Sequence, residues 1–131
     1  MRGMGFTVDD TEWPLVVIRW EDELTEAGLH AALRRMDEFL ARKEVFGVLV
    51  DLRHGESFAP EHRVILVAHM KANAALTAKY LIQAVVVESL FQRTLYYAVS
   101  LISRSPFPSR IFSEPAPARE WLLEMLRERR A

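Results

Sequence analysis

Six residues able to carry charge or move protons fall within twelve consecutive positions: Asp51, Arg53, His54, Glu56, Glu61 and His62. A histidine beside carboxylates can share a proton near neutral pH, so His54 with Glu56 or Glu61 forms a candidate acid/base pair. The same residue types also make a recognition loop, with Phe58 supplying an apolar contact among the charges. A solvated corner has this composition too, and Glu61 in a first helical turn favours the helix dipole without any further role. Taken together, Asp51, Arg53, His54, Glu56, Phe58, Glu61 and His62 are expected to border a partner-binding surface.

Other chemistries are disfavoured by spacing. His62 and His69 are two helical turns apart, roughly 10 Å along an axis, too far to share one ion, and neither lies in an HExxH arrangement. His30 has no neighbouring ligand in sequence. With no cysteine, disulfides, thiolate metal sites and a thiol nucleophile are excluded. The five glycines are scattered, and no GxSxG, GxxxxGK[ST] or GxGxxG follows an apolar run. No metal, no cofactor and no catalytic residue is expected.

The elements that must position the charged corner follow from periodicity. Residues 6–9 and 15–20 read as a β-hairpin, the second run LVVIRW being rich in β-branched and aromatic side chains, with Pro14 at the strand entrance. Thr25 caps a helix over 26–43 whose Leu29, Ala32, Leu33, Met36, Phe39 and Leu40 recur at three and four. Residues 45–52 are too short for a helix of their own and read as a central strand apolar on both faces. Pro60 opens a helix over 60–79 in which the lone Asn73 is expected to do little harm. A strand over 81–88, a helix over 90–103, a short strand over 110–112 and a final helix from Pro115 or Pro117 complete the chain.

The expected fold is therefore α/β in a single domain over residues 1–131, ordered β-β-α-β-α-β-α-β-α. Alternation after the hairpin implies a mixed, mostly parallel sheet of four to five strands with helices packed against it. In such sheets ligands and partners meet the loops at the carboxyl ends of the strands, which is where the charged corner falls.

Two helices hold more apolar residues than one core-facing stripe needs. Phe91, Leu95, Ala98, Val99 and Ile102 provide the stripe of the 90–103 helix, yet Leu90, Tyr96, Tyr97 and Leu101 remain. Val64, Ile65, Leu66, Val67 and Ala68 likewise cannot all face one core. The surplus is accounted for by packing of the two helices on each other, by a homodimer or partner interface at Leu90, Tyr96, Tyr97 and Leu101, or by a pocket for a small apolar ligand.

Seventeen basic against eighteen acidic residues leave a net charge of -1, which offers a nucleic-acid backbone no overall attraction. Arg127, Arg129 and Arg130 complement the dipole at a helix end. No run approaches the length of a membrane span and the N-terminus lacks a secretory apolar core, so a cytoplasmic location is expected.

Three stretches carry a family likeness: LVVIRW before an amphipathic helix, VLVDLR followed by Phe58 and a helix, and the ending RIFSEPAPAREWL. Together they resemble the STAS-like family of anti-sigma-factor antagonists, and more closely its SpoIIAA-like sister group, related to lipid-binding CRAL-TRIO domains. The resemblance implies a small intracellular domain that binds other proteins without catalysis, with carriage of a small apolar, lipid-like ligand as the alternative. Antagonists of this type bear a phosphorylatable Ser or Thr at the start of the helix after the central strand. Here Glu61 stands near that place, and Ser57 precedes the helix start and matches the motif poorly. The resemblance thus implies a regulatory interaction module without the phosphorylation switch.

Overall fold

The computed structural model describes residues 5–22, 25–55, 60–88 and 106–130. Five strands and four helices lie within them: β1 (Phe6–Glu12), β2 (Leu15–Asp22), α1 (Glu26–Ala41), β3 (Phe46–Gly55), α2 (Pro60–Ala72), α3 (Ala74–Tyr80), β4 (Leu81–Val86), β5 (Ser109–Phe112) and α4 (Pro115–Arg130). The expected 90–103 helix, with Leu90, Tyr96, Tyr97 and Leu101, lies outside the described residues, as do Glu56 and Phe58.

The strands form one sheet in the order β1-β2-β3-β4-β5, with β1 antiparallel to β2 and every later pair parallel. Because the sheet grows in one direction, right-handed crossovers place α1, α2 and α3 on one face. On that face Val16, Ile18, Trp20, Phe46, Val48 and Leu81 meet Leu29, Ala32, Phe39 and Leu40, and Ile65, Leu66 and Met70 of α2 pack at its margin. The other face carries Leu15, Leu49, Ile82, Ala84 and Val86 against Ala118, Leu122 and Leu126 of α4. Strand period two explains the split, since successive side chains of β3 alternate between the two cores. That is why β3 reads as continuously apolar.

Local chemistry sets the element ends. The Thr25 hydroxyl accepts from the Gly28 amide at 2.9 Å, capping α1. Lys43, at φ 55°, takes the left-handed conformation that closes many helices, so α1 stops short of the expected residue 43. The helix expected over 60–79 is in fact two helices. Asn73 leaves helical dihedrals at φ −108°, ψ 13°, and its side-chain amide and backbone N–H both donate to the His69 carbonyl, at 3.0 and 3.1 Å. Competition of this kind between side chain and ladder makes asparagine a helix breaker, and here it outweighs the good helix formers around it.

The hairpin turn is tied to the start of β3. The Gly47 amide donates to the Pro14 carbonyl at 2.9 Å, and Trp13 stacks on Phe46 at 5.3 Å with the Arg42 guanidinium 4.2 Å from its ring centre. At Gly47 the sheet also admits α4: a Cβ there would lie 3.2 Å from Leu122 Cδ2 and 3.3 Å from Leu126 Cδ1. Gly47→Val is therefore expected to lower stability by about 2 kcal/mol through overpacking, read as a fall in the urea midpoint. An unchanged midpoint would mean that α4 does not rest on this glycine.

Candidate functional site

The carboxyl half of β3 is built around an irregular register. Arg19 pairs with Asp51, but the next pair is Glu21 with His54, so β3 holds one more residue than β2 over this span. Such a bulge withdraws residues from the ladder and re-aims their side chains. The Asp51 carboxylate compensates: its Oδ1 accepts the Arg53 amide at 3.1 Å and Nε at 3.0 Å, and its Oδ2 accepts the terminal guanidinium nitrogen at 2.9 Å. One side chain thus holds both the backbone and the guanidinium of the residue two positions on.

The electrostatics follow from that clasp. Burial pushes the Asp51 carboxyl up, but the Arg53 hydrogen bonds outweigh it, and the charges of Arg53 and His54 add to them, holding it below its ordinary value of 3.8. The Arg53 guanidinium is held more firmly protonated, first by its hydrogen bond to Asp51. Burial opposes this, and the charges of Asp51, Glu88 and Glu114 reinforce it. Glu88 follows β4 and Glu114 precedes α4, so Arg53 is an electrostatic centre at the carboxyl ends of neighbouring strands.

Of the residues expected at a partner-binding loop, Asp51, Arg53 and His54 lie inside the strand, and Asp51 is buried. This corrects the expected strand end at residue 52, because the Asp51 clasp carries the strand on to Gly55. His54 and Glu61 are exposed on either side of the corner and share no hydrogen bond, so the structure does not assemble them as an acid/base pair. His62 is half-buried, and its Nδ1 is buried without a hydrogen-bond partner. His69 faces away to Asp37 of α1 at 2.7 Å, and His30 approaches Glu26 at 3.6 Å. Among the described residues no group of three metal-ligating side chains occurs, and no helix is long and apolar enough to cross a membrane. Helix α2, which follows the corner, buries none of its residues, and its Val64 is 69% exposed. The roles of Glu88 and Glu114 were not legible in sequence, since only parallel pairing brings those positions beside Arg53.

No protein-family model matches the chain, and neither does any curated protein. Among solved structures the chain is similar to an uncharacterised protein of the DUF3478 family with a SpoIIAA-like fold from Shewanella loihica PV-4. The TM-score is 0.68 at 11% identity, over 89% of this chain and 91% of that one. The fold is SpoIIAA-like. In this SpoIIAA-like sheet the Asp51 clasp occupies the strand end that leads to the corner before α2.

The clasp has unequal halves, with Asp51 3% and Arg53 30% exposed. Arg53→Ala strands a buried carboxylate and is expected to cost about 3 kcal/mol. Asp51→Ala leaves a guanidinium that can turn to water and should cost about 1 kcal/mol. Urea midpoints in the reverse order would contradict the burial of Asp51. A group with a lowered folded pKa contributes stability in full above its unfolded value and loses it as pH falls through the folded one. The stability difference between the native protein and Asp51→Asn should therefore be constant from neutral pH down to about 5 and shrink below about pH 4, as chemical denaturation across that range would show.

Proposed function

We propose that this protein is a non-enzymatic regulatory module of STAS-like type that binds a protein partner through the β3–α2 corner, without a phosphorylation switch. The observation that carries the reading is α2: thirteen residues directly after the corner, none of them buried, with Val64 exposed at 69%. Val64, an exposed apolar side chain one helical turn after the exposed Glu61, fits the centre and rim of a binding patch. The Asp51–Arg53 pair holds the strand end that precedes this corner. Glu61 near the phosphoacceptor place supplies a permanent charge where related proteins would gain one by modification. This reading assigns the protein to the cytoplasm and admits a second copy of the chain as a partner.

Val64→Asp and Glu61→Arg lie on the exposed surface and should fold with an unchanged thermal midpoint. Each is expected to weaken binding of a partner captured by the native protein at least tenfold, about 1.4 kcal/mol. If light scattering shows a dimer, Val64→Asp should shift it to monomer. Capture or dimerisation indifferent to both substitutions would overturn the assignment of this surface.

A further inference from the structure

No further inference is drawn: the strongest candidate, the cleft of about 310 Å³ between the start of α4 and the β2–β3 face, lined by Val17, Arg19, Leu49, Pro115 and Arg119, carries none because Glu12 of β1 already meets Arg119, Asp9 of β1 already faces Arg19, and nothing in the structure selects an occupant.

Discussion

The parallel pairing of β3 with β2 on one side and β4 on the other is the constraint from which the rest of this structure follows. A strand with neighbours on both edges and a core on both faces must be apolar at nearly every position. Phe46, Val48 and Leu49 satisfy that, and Gly47 satisfies it by being small enough for Leu122 and Leu126 to close over it. The crossovers into and out of β3 then have one allowed hand, which sends α1 and the α2–α3 pair to the same side and leaves the opposite face to α4. The single charged residue buried in the strand, Asp51, lies where the apolar requirement ends.

There the same strand changes character. A carboxylate that close to the core is stable only when its lone pairs are used, and the bulge supplies a backbone amide and a guanidinium from one residue. The clasp lies where the apolar run ends, and the strand continues past it to Gly55. Glu88 and Glu114 place further negative charge around Arg53, tying the carboxyl ends of separate strands into one electrostatic unit.

The two faces offer different chemistry because their helices cover them differently. On one, α2 rests on the core through Ile65, Leu66 and Met70 and turns Val64 to water. On the other, α4 packs closely and leaves a concavity of about 310 Å³ lined in part by Arg19 and Arg119. Neither feature competes with the other for residues, save that Asp51 anchors the corner and also forms part of the cleft floor.

Much was settled by the sequence alone. The alternation of strands and helices, the capping role of Thr25 and the apolar stripe of α1 could be read directly, because each depends on local periodicity and on residues a few positions apart, while the SpoIIAA-like order was legible as a resemblance carried by three stretches. The break at Asn73 was visible as a residue but not as an outcome, since helix propensity and side-chain competition pull in opposite directions there. Only the tertiary structure decided that Asp51 and Arg53 are a clasped pair within the strand, that Glu88 and Glu114 adjoin Arg53, and that Arg19 and Arg119 share a cleft although a hundred positions separate them. Those relations arise from strand register and from which face each helix covers, and both are set by long-range pairing, which no window along the chain contains.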